Sequence, residues 1–407
     1  MATKKNLTTP KKTTARKPRK DVGFWQEIWD RQTAWTVRHK FWQRLGLGLI
    51  ALILLAVGFM YSIAQWYIRS NKNEPVVIGT TFIPDYARHF DLDPKETFGA
   101  MINDLGIKNF RLVSYWDVIE PTPGTYNFSE LDWQFKMAEE ANVKISLAMG
   151  MRQPRWPECH EPAWALKMPD NTWYQPLYAY MEAVVNRYKN SPALESYQLE
   201  NEFFLKAFGM CTNFDRDRLV SEYKLIKGLD PDRKLIVSMS NNAIGTPLGE
   251  PTPDEWAISI YKRVWDKNIT LRYFEYPIPA WYYAFRAGFT KITRGHDSFI
   301  HELQTEPWTP ENSGGTKEST LEEQDKSMSA QMLTDRIQYG RVTGMKAMYL
   351  WGSEWWYWRL KVHNDPSLWN AAKEKIQENN ARTEKIQEKK ELVIINKDGL
   401  DYNAKSN

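Results

Sequence analysis

The sequence predicts an eight-stranded β/α barrel (TIM barrel) preceded by a single N-terminal transmembrane helix. Three observations support this fold class. After residue 69, short apolar runs rich in Val, Ile and Phe alternate with amphipathic stretches, eight such runs can be counted, and a charge-free segment lies upstream of them. Alternating strands and helices indicate a parallel sheet covered by helices. Because such a barrel commonly takes about 250 residues, one barrel with appended segments accounts for the chain.

Residues 1–44 form a basic tail. They hold 12 Lys and Arg against 3 Asp and Glu, a local charge of +9, which leaves −5 for the remainder of a chain whose formal net charge is +4. A basic tail could bind nucleic acid, but the apolar segment that follows favours a membrane surface as its partner. Residues 1–20, rich in Lys, Thr and Pro, are predicted to be disordered, and an aromatic juxtamembrane segment follows them.

Residues 45–68, LGLGLIALILLAVGFMYSIAQWYI, contain no charged side chain. A helix of this length extends about 36 Å, which is enough to cross a bilayer. A cleaved signal peptide is the alternative, because Ser62 and Ala64 form a passable cleavage site. The run is longer than a typical signal-peptide core and lies far from the N-terminus, which favours an uncleaved anchor. The basic tail then predicts a cytoplasmic N-terminus and an extracytoplasmic location after Arg69.

The predicted barrel occupies residues 75–378. Its strands are predicted at 76–82, 109–113, 143–149, 196–199, 234–240, 269–276, 298–303 and 347–352, and helical patterns, including PDEWAISIYKRVW at 253–265, fill most of the gaps. An open, doubly wound sheet would also alternate, but no G-x-G-x-x-G follows the first strand. Residues 379–407 are polar and predict a helical C-terminal extension with a frayed end.

Acidic residues follow two of the predicted strands. Glu200, Asn201 and Glu202 come directly after strand four, SYQL, and strand seven reaches Glu302, with Glu306 four residues later. Barrel enzymes place reactive groups at the C-terminal ends of strands. Two carboxylates facing one mouth suit glycosidic bond cleavage, in which one protonates the leaving oxygen and the other attacks the anomeric carbon or activates water. A lone glutamate more often forms a salt bridge, and Glu200 or Glu306 remains an alternative within each group.

The Asn201-Glu202 pair after strand four, together with a glutamate after strand seven, resembles the clan A retaining glycoside hydrolases, especially their cellulase-like and β-galactosidase-like members. Residues 111–150 are similar to the region between their second and third strands, with its W-D…E-P…G-x-Y-x-F…D pattern. The likeness covers roughly residues 76–360. It implies that Glu202 is the acid/base and that Glu302 is the nucleophile.

The same resemblance implies four substrate-binding residues. Arg111 takes the position of the arginine that orients the nucleophile, and Asn201 that of the side chain that bonds the sugar 2-hydroxyl. Tyr276 resembles the tyrosine that contacts the nucleophile, although the neighbouring Glu275 could face inward instead. Trp351 resembles the tryptophan beneath the bound sugar.

Nineteen tryptophans are a high count for this length, and several fall in predicted strand-to-helix loops. Sugar faces stack on aromatic rings, so exposed aromatic side chains at the mouth would suit a glycan. Trp355 and Trp356, in WGSEWWYW, are predicted to be the best placed for such a contact, although packing inside the barrel would also explain them. The six histidines are scattered and form no H-E-x-x-H, so no metal or other cofactor is predicted.

The two cysteines fall in neighbouring predicted loops, Cys159 after strand three and Cys211 after strand four. Adjacent loops at one face of a barrel could bring the two together, and an oxidising compartment would favour a disulfide. Two buried free thiols are the alternative.

Together these features predict a membrane-anchored retaining β-glycosidase that hydrolyses an extracellular oligo- or polysaccharide. One alternative is a cell-surface transglycosylase, which would differ in that sugar acceptors outcompete water. The other is a glycan-binding protein that keeps the fold without turnover. The presence of Arg111, Asn201, Glu202 and Glu302 favours an enzyme, because a site without turnover would be free to lose any of them.

The anchor prediction can be tested on intact cells. Added protease should digest the barrel and leave residues 1–44 protected, because the +9 tail stays inside the cell. Immunoblotting with antibodies to the two regions measures the outcome, and permeabilised cells, in which both regions are digested, are the control. A mature N-terminus near Gln65 would contradict an uncleaved anchor.

Overall fold

The computed structural model describes residues 23–169, 171–241 and 247–404, so the predicted disorder of residues 1–20 lies outside the described residues. The chain divides into two compact units, one ending at Phe59 and the other running from Met60 to the C-terminus. Helix α1, Gly23–Ser70, supplies all that is described of the first unit and continues into the second. By length and composition α1 could cross a membrane, as the sequence predicts for this region.

The described part of the second unit contains ten strands. In chain order they are β1 Val77–Thr81, β2 Asn109–Val113, β3 Lys144–Met149, β4 Leu194–Leu199, β5 Lys234–Met239, β6 Glu255–Ile260, β7 Arg263–Asp266, β8 Arg272–Glu275, β9 Asp297–Gln304 and β10 Ala347–Trp351. Eight of them form a closed barrel in the order β1-β10-β9-β6-β5-β4-β3-β2, and all neighbouring pairs are parallel. The predicted TIM barrel is therefore confirmed.

Helices surround the barrel. After α1 they are α2 Pro84–His89, α3 Pro94–Asn103, α4 Trp116–Ile119, α5 Ser129–Glu140, α6 Tyr174–Tyr188, α7 Arg216–Leu229, α8 Ala280–Arg294, α9 Leu321–Asp325, α10 Ala330–Arg341, α11 Ser353–Val362 and α12 Ser367–Ala404. Local sequence fixes several of their starts. At α3, for example, the Asp93 side chain accepts a hydrogen bond from the backbone N–H of Glu96, and proline occupies the first turn.

Successive side chains along each strand point to opposite sides of the barrel wall, and they form two separate layers of the core. One side of each strand packs against the helices in a large apolar cluster that includes Leu235, Trp256 and Met348. The side chains of opposite parity on β5, β6, β9 and β10 form a smaller cluster, Ile236, Ala257, Phe299 and Tyr349. This smaller cluster fills the interior of the barrel, so polar side chains at the barrel's carboxyl end rest on an apolar floor.

The predicted position of the sixth barrel strand is wrong. The segment predicted as a helix, 253–265, contains the barrel strand β6 and the short strand β7. The segment predicted as strand six, 269–276, contains β8, which pairs with β7 in an antiparallel hairpin outside the barrel. The buried run EWAISI mixes Ala and Ser with few β-branched residues, so its pattern alone does not separate a buried strand from a helix.

Residues 379–404 of the predicted C-terminal extension are helical, and the helix that contains them begins earlier than residue 379. Helix α12 runs unbroken from Ser367, and its side chains are described up to Lys390. Asn379 is buried and donates a hydrogen bond from its side chain to the Val76 carbonyl at 2.7 Å. Asn380 donates to the Gly106 carbonyl at 3.0 Å. Since these carbonyls precede β1 and β2, this part of α12 lies at the amino end of the barrel.

The last turns of α1 belong to the barrel unit and pack on its surface. Ile63, Ala64 and Tyr67 are buried, so the predicted anchor segment ends in contact with protein rather than free of it. The absence of a side chain at Gly288 of α8 permits this contact, because a Cβ there would lie 3.0 Å from both Ile63 and Tyr67. Residues 60–70 therefore act as an additional helix of the barrel.

Candidate active site

The turn after β4 has an unusual backbone. Glu200 and Glu202 have φ angles of 49° and 43°, in the left-handed region that non-glycine residues rarely adopt. Backbone hydrogen bonds hold this turn, from Asn201 N–H to the Arg152 carbonyl at 2.6 Å and from Glu202 N–H to the Ser238 hydroxyl at 2.8 Å. Asn201 and Glu202 are thereby placed at the carboxyl end of the barrel.

Arg111, on β2, connects the two groups of acidic residues. Its guanidinium is fully buried and donates one hydrogen bond to Glu302 Oε1 at 2.7 Å and another to Asn201 Oδ1 at 2.9 Å. Because these partners lie on β9 and after β4, one side chain joins three parts of the barrel rim. The structure thus brings together Arg111, Asn201 and Glu302 as the sequence predicts.

Both carboxylate oxygens of Glu302 accept hydrogen bonds. Arg111 donates to Oε1, and the Tyr261 hydroxyl donates to Oε2 at 2.8 Å. Burial, followed by the nearby Glu302 charge, raises the pKa of Tyr261 well above its ordinary value, so this tyrosine stays protonated and remains a donor. Two donors, one of them a cation, form the environment of a carboxylate rather than of a proton donor.

The structure does not bring Tyr276 to this position. Tyr276 follows the β7–β8 hairpin, where its backbone N–H donates to the Lys262 carbonyl at 2.7 Å. Tyr261, which directly follows β6, makes the contact with Glu302 instead. Sequence reasoning missed Tyr261 because the strand before it was predicted as a helix; a buried strand read at EWAISI would have found it.

Glu202 is buried beside two other carboxyl groups. Burial, then the charge of Glu302, then that of Glu158 raise the pKa of Glu202 to about 8. Glu158 accepts a hydrogen bond from the Asn201 side-chain amide at 3.0 Å, and burial raises its own pKa to about 7, partly offset by Arg152. A carboxyl group in this environment holds its proton near neutral pH, as a general acid must.

Glu200 is engaged elsewhere. Its carboxylate is fully buried, pairs with Arg218 at 2.7 Å and accepts hydrogen bonds from the backbone N–H groups of Met151 and Arg152 at 2.8 and 3.0 Å. Gly150 has a φ angle of 105°, and a Cβ there would lie 2.6 Å from the carboxylate, so the backbone closes over this side chain. Glu200 therefore braces the end of β3, and the geometry favours Glu202 of the two.

Glu306 is the centre of a second polar cluster. It accepts hydrogen bonds from Trp351 Nε1 at 2.6 Å, the Tyr86 hydroxyl at 3.0 Å and Arg155 at 3.0 Å. The Arg155 guanidinium lies 4.4 Å from the centre of the Trp351 ring and 3.3 Å from that of Tyr86. Glu306 thus orients Trp351 at the end of β10, and the geometry favours Glu302 as the reacting carboxylate. Arg155 was not predicted, because nothing in its local sequence links it to β10.

Trp355 and Trp356 do not face the mouth. Both are fully buried, and their indole N–H groups donate to Gln324 and to the Thr305 carbonyl, each at 2.7 Å. The predicted contact between Trp355 and substrate is not supported by this placement. Exposed tryptophans do occur on neighbouring loops, at Trp156 after β3 and at Trp308 after β9.

Cys159 and Cys211 are bonded as a disulfide in the structure, with their Cα atoms 5.3 Å apart. The bond joins the loop after β3 to the loop after β4. It therefore ties the segment that carries Glu158 to the turn that carries Glu202.

No protein-family model matches the sequence, and no protein of curated function matches it. Among solved structures, a GH5_18 protein from Bifidobacterium longum subsp. infantis has a TM-score of 0.52 and 13% identity, over 75% of this chain and 79% of that chain. An exo-β-1,4-mannosidase from Opitutaceae bacterium strain TAV5 has a TM-score of 0.49 and 13% identity, over 76% of this chain and 60% of that chain.

A β-galactosidase from Halorubrum lacusprofundi has a TM-score of 0.45 and 14% identity, over 68% of this chain and 52% of that chain. The chain therefore spans less than two thirds of the length of this enzyme and of the mannosidase. At such low identities the comparison establishes fold alone. The fold shared with the Bifidobacterium protein is the closed, parallel β/α barrel described above.

A stability measurement can distinguish a structural role of Glu200 from a catalytic role. Glu200→Ala leaves Arg218 with one fewer buried partner, and we expect it to lower the free energy of unfolding by about 3–5 kcal/mol. Glu182→Ala, on the exposed face of α6, is the matched control and should change it by less than about 0.5 kcal/mol. Urea titration followed by tryptophan fluorescence measures both. Equal, small effects would show that Glu200 does not brace the fold.

Proposed function

We propose that this chain is a membrane-anchored retaining β-glycosidase that hydrolyses O-glycosidic bonds of an extracellular glycan. The observation that supports this most is the contrast between two neighbouring carboxyl groups at the barrel mouth. Glu302 accepts hydrogen bonds from Arg111 and Tyr261, whereas burial and adjacent carboxyl groups raise the pKa of Glu202 to about 8. When two neighbouring carboxyl groups lie in such different environments, one can act as the general acid and the other as the nucleophile.

In the proposed reaction Glu202 protonates the glycosidic oxygen as the bond to the anomeric carbon breaks. Glu302 attacks that carbon and forms a glycosyl-enzyme, and Glu202, now deprotonated, takes a proton from the water that hydrolyses it. Arg111 fixes the orientation of Glu302, and Tyr261 holds its second oxygen. Asn201, whose oxygen is held by Arg111, is proposed to direct its remaining amide hydrogen to the sugar 2-hydroxyl.

The proposed location outside the cytoplasm rests on two features. The charge-free part of α1 follows a tail with a +9 charge, which favours an N-terminus on the cytoplasmic side. The Cys159–Cys211 disulfide suits an oxidising compartment. Trp351 is proposed to lie beneath the sugar, held by Glu306.

Chemical rescue tests the division of roles. Because Glu202 supplies the proton, Glu202→Ala should lower kcat on an unactivated β-glycoside about 10²–10⁴-fold. With an activated aryl glycoside the glycosyl-enzyme should still form, and azide should give a β-glycosyl azide. With Glu302→Ala, azide should attack directly and give the α-glycosyl azide. NMR of the products from a panel of aryl β-glycosides measures both outcomes.

Glu306→Ala is the matched control for this experiment, because Glu306 contacts Trp351 rather than the Glu302 carboxylate. It should show neither rescue pattern. The assignment fails if Glu306→Ala is rescued by azide while Glu302→Ala remains active. Absence of turnover by the unmodified chain on every glycoside would instead favour a glycan-binding protein.

The pH profile gives a second test. Activity requires protonated Glu202, so kcat/KM should fall as the pH rises through about 8, the raised pKa of Glu202. The negative charge of Glu158 contributes to that rise, so Glu158→Gln should lower the pKa of Glu202 and move the basic limb to lower pH. Initial rates across pH measure the shift. A basic limb that does not move would remove Glu158 from this role.

A further inference from the structure

The direction of residues 60–70 fixes where the chain enters the barrel unit. The Tyr61 ring lies 5.6 Å from the ring of Trp281, in the first turn of α8. Further along, Tyr67 lies against Gly288, in the second half of α8. Helix α8 starts where β6 and its hairpin end and finishes where β9 begins. Residues 60–70 therefore run parallel to α8, and the unit's first residue, Met60, lies at the carboxyl end of the barrel strands.

The apolar segment is too short to include a linker between the membrane-spanning part and the barrel unit. Of residues 45–68, Ile63, Ala64 and Tyr67 are buried in the barrel unit. The part before Met60, residues 45–59, would extend about 22 Å as a helix, which is less than the hydrocarbon core of about 30 Å. A bilayer crossed by this segment must therefore reach the residues that lie beside the carboxyl end of the barrel.

The loops at that same end carry exposed apolar side chains. At the tip of the β7–β8 hairpin, Ile269 is 86% exposed and Leu271 is 64% exposed. The hairpin is not loose, because the Tyr273 hydroxyl donates to Glu323 at 2.7 Å. Other exposed apolar side chains at this end are Trp156, Leu166, Met210, Phe274 and Trp308. Part of this surface is continuous, because the rings of Trp156 and Trp308 lie 6.0 and 6.3 Å from the ring of Phe208. A contiguous exposed apolar patch typically marks a binding surface.

We propose that the carboxyl end of the barrel, led by Ile269 and Leu271, lies on the outer surface of the membrane, and that the substrate is a glycan carried by a lipid of that membrane. The substrate class rests on the proposed glycosidase function. The mouth with Glu202 and Glu302 opens at the same end of the barrel, so it meets glycan head groups rather than polymers from bulk solution.

A bilayer fits this surface better than a second copy of the chain. The apolar tip is followed by the cation Arg272, while Lys267 before it pairs with Glu311. An apolar tip beside a cation suits an interface between lipid tails and head groups. The attachment through Met60 also holds the bilayer near these tips, which raises its effective concentration without any further contact. At the opposite, amino end, α12 packs beside the residues that precede β1 and β2.

Membrane contact can be measured without any enzymatic activity. The full chain, reconstituted in phosphatidylcholine vesicles, is labelled with the fluorophore NBD at Ile269→Cys or, as a control, at Val362→Cys at the C-terminal end of α11. The two native cysteines are bonded to each other and do not react. Lipids with a nitroxide on the acyl chain should quench the label at position 269 several-fold more than the label at 362. Equal, weak quenching at both positions would overturn the docking proposal.

The substrate class is tested by matched glycosides in the same vesicles. Each sugar is presented either on a soluble nitrophenyl group or on a dialkylglycerol lipid. The variant Ile269→Ser/Leu271→Ser should lower kcat/KM for the lipid glycoside about tenfold or more and leave the nitrophenyl glycoside unchanged. The control Val342→Ser/Val362→Ser, whose side chains are 45% and 51% exposed at the amino end, should affect neither substrate. Equal rates on the lipid glycoside for both variants would overturn the lipid-linked substrate.

Failure of the glycosidase function, of the membrane anchor and of the lipid-linked substrate would each give a different experimental result. If no nitrophenyl glycoside is hydrolysed, the proposed glycosidase function fails, while the quenching result still decides whether the barrel contacts lipid. If alkaline washing removes the chain from the vesicles, the anchor fails. A preference for soluble polysaccharide over lipid glycoside, with turnover intact, rejects only the substrate class.

Discussion

The buried cation Arg111 connects the two groups of acidic residues at the site. Arg111 has no exposed side-chain surface, and removing a guanidinium from water is costly unless charged and polar partners replace the water. Glu302 and Asn201 are those partners. Because they come from different parts of the chain, the contact forms only when β2, β4 and β9 have their observed register. A one-residue slip of β2 would turn Arg111 toward the helices and leave the Glu302 carboxylate without its cation.

Around Arg111, acids outnumber bases. Glu158, Glu202 and Glu302 share the mouth with Arg111 and Arg152, whose nearest charged contact is Glu158 at 3.6 Å. The shortage of positive charge, added to burial, explains why the pKa values of Glu202 and Glu158 rise to about 8 and about 7. Glu200 is equally buried but lies outside this group, since it has Arg218 as its own partner. Glu200 and Glu202 are therefore only two residues apart in the sequence but lie in different electrostatic environments.

The sequence predicted most of the barrel because seven of its strands are apolar runs bounded by polar residues. It misplaced β6, because the short buried run EWAISI is compatible with either a strand or a helix. This error assigned to Tyr276 the position that Tyr261 occupies. The choice between Glu200 and Glu202 could not come from strand periodicity either. Residues two apart share a face on a regular strand, but positive φ angles at both positions break that rule. Trp355 was misjudged because α11 is buried on nearly all sides.

The position of Met60 follows from the topology of the barrel itself. Strand β1 starts at the amino end, so a helix that packs on the barrel and leads into β1 must descend from the carboxyl end, as the helices that lead into the other barrel strands do. Ile63, Ala64 and Tyr67 commit residues 60–70 to that packing. An anchor joined through a flexible loop would carry no such constraint. Packing of a few apolar side chains on α8 thus determines which end of the barrel is tethered, and it selects the end where Glu202 and Glu302 lie.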